Sequence, residues 1–233
     1  MQGFEKYLEK EYVMGHVYPC LRPAGSLLWP RNPHEYTKKF LDMEIYYRVS
    51  AETESQVIDY SVTNDLMIQL GLFPDDLCKL AEANARENAE IRELNDYLTE
   101  MVTKYGDDLK DIVEDRQPEE EAKRPIYIAT TNDGWHGAGV ITCTDVLDRV
   151  AEKSNSPVLL VIPSSVHEVL VLPFGDDTPT ISHINRLIGM VNSDVLDQDD
   201  RLSDHCYIYD SKRKTFTMTF ADGSYGDQTV WGK

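Results

Sequence analysis

Two short segments hold the side chains best suited to chemistry. The first runs Pro163, Ser164, Ser165, Val166, His167, Glu168, directly ahead of an apolar run that closes at Pro173. The second covers residues 202–210, with Asp204 and His205 near its centre. A hydroxyl, an imidazole and a carboxylate are the parts of a nucleophile, its base and the group that orients the base. Ser165, His167 and Asp204 are therefore the candidates for a small hydrolase. On a strand, Ser165 and His167 would share one face and Glu168 would point to the other. The chain offers no G-x-S-x-G elbow and no glycine-rich loop to serve as an oxyanion hole. The plainer reading makes the two serines turn formers after Pro163, with His167 and Glu168 as buried polar groups satisfied by neighbouring segments.

The same segments contain metal-ligand types: His167, Glu168 and His205, with Asp204 beside them. Imidazole and carboxylate suit zinc or manganese. Neighbouring residues of a strand point to opposite faces, however, so neither adjacent pair converges readily on one ion. Cys20, Cys78, Cys143 and Cys206 lie far apart and form no C-x-x-C. In a cytosolic chain they read as reduced, mostly buried thiols rather than zinc ligands. No Walker loop, G-x-G-x-x-G or H-E-x-x-H occurs. The expectation is a protein with no cofactor and no metal, leaning away from catalysis.

The remaining candidates would meet a partner. Trp135 and His136 follow the turn signal Asn132-Asp133-Gly134 and are expected at a hairpin tip. An exposed Trp there can anchor a partner, although folding back onto the sheet is the plainer outcome. Asp197, Asp199 and Asp200 form an acidic cluster further on. The chain has 41 acidic and 23 basic residues, a formal net charge of −18. That balance disfavours direct contact with nucleic acid, whose binding needs a basic footprint. It keeps a protein soluble. In its sharper form it offers a phosphate-like surface to a basic, nucleic-acid-binding protein complex.

The elements that must position these groups are legible in outline. Phe4, Tyr7, Leu8 and Tyr12 fall at helical spacing. Pro19, Pro23, Pro30 and Pro33, with Trp29 among them, break the chain into a loop. Leu41, Met43, Ile45, Tyr47 and Val49 alternate with polar or aromatic neighbours, and Ile58, Tyr60 and Val62 repeat the period of two, which predicts a hairpin. Asn64 or Asp65 can cap a short helix ending at Gly71. Pro74, Asp75 and Asp76 open another helix. Ile91, Leu94, Leu98, Met101 and Val102 predict a third, stopped near Gly106. From 107 to 121 the chain is acidic and ends in Pro118 and three glutamates, a linker composition.

The second half reads ββαββαββ. Strands are expected at 126–130 and 138–143, and a helix capped by Thr144 follows. Continuous apolar strands are expected at 158–162 and 166–172. A helix carrying Ile181, Ile184, Leu187, Ile188 and Val191 comes next, then a hairpin of 206–209 and 215–220. The fold class is α+β, with a mixed or antiparallel sheet in the C-terminal half and a helical and hairpin N-terminal half. The expected divisions are an N-terminal lobe at 1–114, an acidic linker at 115–124, a C-terminal lobe at 125–220 and a disordered tail at 221–233.

Three stretches carry a family resemblance: FLDMEIYYRV at 40–49, IPSSVHEVLVLP at 162–173 and MVNSDVLDQDDRLSDHCYIYD at 190–210. Their order and spacing, with Asn64 and Gly71 between them, resemble a family of uncharacterised bacterial proteins carrying domain of unknown function 5688. The resemblance runs from about Val17 to Met218. It implies a bacterial source, with relatives common in anaerobic gut Gram-positive bacteria and often near mobile elements. It brings no activity onto any residue. It also leads one to expect a strand-rich segment before the first helix; the sequence here opens almost at that helix, so the segment is expected to be missing.

No apolar run approaches the roughly 20 residues of a membrane span, and the N-terminus is charged rather than signal-like. The expected protein is therefore cytoplasmic, without membrane or direct nucleic-acid contact. Its leading function is non-enzymatic protein binding or regulation. The alternatives are an acidic nucleic-acid-mimicking anti-defence inhibitor, the Ser165/His167/Asp204 hydrolase, and a subunit of a larger assembly, which a large apolar patch would reveal.

Overall fold

The alternating residues of the first predicted strand do form one. In the computed structural model, which describes residues 5–25, 34–52, 57–105 and 125–231, the long strand β3 (Met43–Glu52) organises a four-stranded antiparallel sheet. One edge of β3 pairs with β1 (Val17–Pro23). Its other edge is divided between β2 (Thr37–Phe40) and β4 (Val57–Ser61). Met43, Ile45, Tyr47 and Val49 all point into the core, as a period of two requires.

Short helices surround this sheet. A 3-10 turn (Glu5–Leu8) precedes α1 (Lys10–His16). Helix α2 (Asn64–Leu70) is capped by the Thr63 hydroxyl, which accepts from the Leu66 N–H at 3.2 Å. It ends at Gly71, whose φ of 61° is the left-handed stop that glycine allows. Pro74 opens α3 (Pro74–Asn88), with Asp75 and Asp76 in its first turn. Leu77, Ala81 and Ala85 are its buried face. The predicted linker at 115–124, and Trp29, Pro30 and Pro33, lie outside the described residues.

The second sheet has seven strands in the order β11-β10-β9-β7-β8-β6-β5, every pairing antiparallel. These are β5 (Ala89–Glu93), β6 (Tyr127–Thr131), β7 (Val158–Ile162), β8 (Val169–Pro173), β9 (Tyr207–Asp210), β10 (Thr215–Thr219) and β11 (Tyr225–Val230). Its helices are α4 (Leu94–Tyr105), α5 (Thr144–Lys153) and α6 (Ile181–Asp194). The protein is thus α+β with antiparallel sheets. The apolar runs at β7 and β8 sit in the interior of the sheet, where both faces are covered. Leu159 and Val161 join the main core, while Leu160 faces Ile181, Ile184 and Ile188 of α6. The main core is shared by both sheets: Leu21, Phe40 and Ile45 from the small one meet Tyr127, Tyr209 and Phe216 from the large one.

Several expectations are corrected. Pro19 and Pro23 do not break the chain into a loop: residues 17–23 form β1, an edge strand, where proline is tolerated. Thr63, not Asn64 or Asp65, caps α2. Ile91 belongs to β5, not to a helix, because residues 89–93 pair with β6 and extend the sheet by one strand. Residues 138–143 do not return as a strand. They form a 3-10 helix (Gly137–Thr142) wedged between β6 and β1, every residue of it buried. His167 is not on a strand: β8 starts only at Val169, because the Val166 N–H donates to the Asp200 carbonyl instead of a ladder. The described part of the tail, through residue 231, is not disordered. Residues 225–230 pair with β10, and Trp231 donates its indole N–H to the Thr142 carbonyl at 2.8 Å.

The two sheets are also tied by a polar strap. His205 Nε2 lies 2.9 Å from Asp42 Oδ2, and the Tyr207 hydroxyl donates to Asp42 Oδ1 at 2.6 Å. Burial works against the charged forms of both Asp42 and His205. The hydrogen bonds between them outweigh it, lowering the Asp42 carboxyl and raising the His205 imidazole.

Candidate functional site

Where β6 ends, Asn132, Asp133 and Gly134 turn the chain, with Gly134 at φ 68°. Asp133 Oδ1 fixes the turn by accepting from the Thr131 hydroxyl at 2.6 Å and the Trp135 N–H at 3.1 Å. His136 then takes a left-handed conformation, φ 53°, ψ 27°, uncommon for a residue with a side chain. Gly137 and Gly139 follow because nothing larger fits: a Cβ on Gly137 would lie 2.2 Å from Thr130 Oγ1, and one on Gly139 would lie 1.8 Å from the Pro19 carbonyl oxygen. The turn is pressed between β6 and β1 with its two aromatic side chains held in place.

Three rings gather here. Trp135 stands 5.0 Å from both His136 and His167, and the imidazoles are 5.5 Å apart. The His136 backbone N–H donates to His167 Nδ1 at 3.2 Å. That bond makes Nδ1 an acceptor and leaves the ring proton on Nε2, which faces Asp200 Oδ1 at 3.3 Å. Both nitrogens of His167 are therefore engaged. The loop after α6 delivers Asp200, so the end of that helix and the Trp135 turn are physically joined.

Beside the rings, a cleft of about 100 Å³ opens between β1, β3, β4 and the turn. Arg48 and Asp59 line it as a bidentate pair, with both N–O distances 2.6 Å. Tyr18, Cys20, Ser50, Asn88 and Asp133 line the rest, with Trp135 and His136. Burial pushes the Cys20 thiol up to about 12, so it stays protonated and unreactive. Burial first, then the positive charge of Arg48 and the neighbouring His167 ring, lower His136 to about 4.

The shift of His136 has a measurable consequence. Folded His136 holds a proton more weakly than the unfolded chain, whose imidazole titrates near 6.5. Acid therefore favours unfolding as pH falls from about 6.5 to about 4. The full stability difference is about 3 kcal/mol. The His136→Asn variant keeps a residue tolerant of positive φ and cannot titrate. Its urea midpoint is expected to fall much less than wild type between pH 7 and pH 4.5. Equal falls would contradict a buried neutral imidazole.

The groups singled out from the sequence separate into different places. The Ser165 hydroxyl donates to Glu168 Oε1 at 2.9 Å and accepts from the His167 N–H at 3.0 Å, closing the bend. Asp204 accepts from Asn192 at 2.7 Å, and the carboxylate facing His167 is Asp200. His205 faces Asp42. Among the described residues no three His, Cys, Asp or Glu side chains gather as a metal site needs. Asp197 and Asp199 are exposed on the loop after α6.

Helix α6 presents a second surface. Ile181, Ile184 and Ile188 bury one side of it. Leu187, Met190 and Val191 lie on another side and are 45%, 52% and 43% exposed; Val195, just past the helix end, is 75% exposed. Single exposed apolar residues are ordinary. Four at 187, 190, 191 and 195 form a stripe, bordered by Asp194, Asp197 and Asp199.

The fold is that of an α+β protein with two antiparallel sheets sharing a main core. The chain belongs to a family of unknown function, DUF5688, whose family model matches residues 32–211. No curated protein and no solved structure matched it. The matched segment includes the Arg48–Asp59 pair, the Trp135 turn, His167 and α6, while Tyr18 and Cys20 of the cleft precede it. No helix among the described residues is long and apolar enough to cross a membrane.

Proposed function

We propose that this is a non-enzymatic protein-binding factor of the bacterial cytoplasm that docks a basic protein on helix α6. The observation that carries the reading is the outward stripe of Leu187, Met190, Val191 and Val195 with three aspartates at its end. An apolar centre with a charged rim is the usual anatomy of a protein interface. A net charge of −18 favours a basic partner and opposes a second copy of this chain. Basic nucleic-acid-binding complexes are the partner class that best fits that charge.

The test is affinity capture from the source lysate with wild type and with Met190→Glu, at low and high salt. The substitution sits on the exposed side of α6 and leaves its buried face untouched. Wild type is expected to retain a basic protein that weakens at high salt and that the variant loses about tenfold or more. Identical capture by both proteins, or a wild-type dimer that Met190→Glu dissociates, would overturn the reading.

A further inference from the structure

We propose that the cleft beside Trp135 is a binding site for a guanidinium cation. Its charge balance points there. Arg48 and Asp59 neutralise each other through two short contacts. Among the described residues Asp133 makes no ion pair, so it is the carboxylate left without a counter-charge in the lining. Its Oδ1 is committed to the Thr131 hydroxyl and the Trp135 N–H, which hold the carboxylate in place and leave Oδ2 for a guest. The other lining groups, among them Tyr18, Cys20, Asn88, Asn132 and His136, are uncharged at neutral pH. An anion would meet an unpaired carboxylate. A cation meets one carboxylate, several neutral acceptors and a half-exposed indole braced by two imidazoles.

The shape selects among cations. At about 100 Å³ the cleft is below the roughly 300–1,000 Å³ of sites that engulf a drug-sized ligand. It takes a head group whose stem stays outside. A guanidinium is planar, weakly hydrated, rich in donors and able to stack on an aromatic face. An ammonium is compact and more strongly hydrated, and uses fewer of the acceptors around it. The guest can be a free guanidino compound or an arginine side chain of a protein. The cleft is separate from the exposed stripe of α6, so this site and the docking reading stand or fall apart.

The experiment is calorimetric titration of the full chain with methylguanidinium, with its neutral isostere methylurea, and with n-propylamine, at millimolar concentrations. Methylguanidinium is expected to bind at least tenfold more tightly than either. Asp133→Asn keeps an oxygen for Thr131 and Trp135 and is expected to cost tenfold or more in affinity. Trp135→Leu, which removes the ring without touching the charge, is expected to weaken binding severalfold. A second arm compares free arginine amide with a short peptide bearing one internal arginine. Binding of the free compound alone assigns the site to a small molecule, and binding of both assigns it to a side chain. Methylguanidinium binding no tighter than methylurea, or unchanged in folded Asp133→Asn and Trp135→Leu, would overturn the site.

Discussion

Arg22→Leu is expected to lower unfolding free energy by about 4 kcal/mol, the scale for removing one partner of a buried ion pair. Arg22 is almost wholly buried, yet charged. It donates through Nη1 to Glu35 at 2.8 Å and through Nε to Glu44 at 2.7 Å. The Arg22 and Glu35 side chains are 4% and 5% exposed. Its guanidinium also lies over the Tyr46 ring, 4.7 Å from the centroid. Arg22 and Glu44 are cross-strand partners in β1 and β3, and Glu35 belongs to the segment that leads into β2. One guanidinium thus joins three pieces of the small sheet. Leucine would leave two carboxylates facing each other in a nearly dry site. The comparison is Arg213→Ala, whose partner Asp210 it meets at 72% side-chain exposure; that change is expected to cost well under about 1 kcal/mol. Urea unfolding of the two variants reads the difference. Similar midpoints would mean that the Arg22 pairs contribute no more than surface ones.

Gly139→Ala is expected to be nearly as damaging, by about 3 kcal/mol or more. The added methyl would meet the Pro19 carbonyl oxygen at 1.8 Å and its carbon at 2.7 Å, both backbone atoms of β1 that cannot swing aside. The 3-10 helix must then lift from β1, separating Tyr18 and Cys20 from Trp135 and His136 across the cleft. Overpacking usually costs about 1–3 kcal/mol, and a backbone contact this close belongs at or above the top of that range. Gly189→Ala is the control. Nothing lies within 4 Å of its Cβ position, and it sits inside α6. Alanine there is expected to stabilise by about 0.5–1 kcal/mol. In a thermal melt the two substitutions should move the midpoint in opposite directions. A Gly139→Ala protein with wild-type stability would show that the 3-10 helix is not packed against β1.

Local signals in the sequence were good guides wherever one short segment decided the outcome. The alternation of residues 41–49, the stop at Gly71, the start at Pro74 and the apolar runs of β7 and β8 each carry their own cause. The errors arise where distant contacts decide. Ala138, Val140 and Ile141 make an apolar run that suits a strand or a buried turn equally. The approach of β1, more than a hundred residues earlier, selects the turn. Ile91 has helical neighbours downstream, but pairing with β6 claims it. Trp231 orders the tail by reaching Phe40 and the Thr142 carbonyl, contacts that no window around residue 231 contains.

The site divides in the same way. Trp135, His136 and Asp200 were visible as an exposed aromatic, a neighbouring imidazole and an acidic cluster. Arg48 and Asp59 were not, because each reads as a polar position on one strand of the hairpin, and the two are not register partners. Only the packing of the small sheet against the Asn132–Asp133–Gly134 turn places them beside Trp135. The carboxylate paired with His167 was misjudged by four residues, Asp200 rather than Asp204. The loop after α6 folds back at the Val166 N–H, a contact with no signature in either segment. The stripe on α6 was half visible: Leu187 and Val191 fall at helical spacing with the three isoleucines, and the structure leaves both exposed.

The most direct measurement is site-specific photo-crosslinking in the source cells, with the crosslinker placed at position 190 on α6 and, separately, at Lys79 on the exposed side of α3. The expected result is one dominant basic protein captured from position 190, reduced by Asp197→Asn and Asp199→Asn together, and absent from position 79. Equal capture from both positions, or none from position 190, would contradict docking on α6.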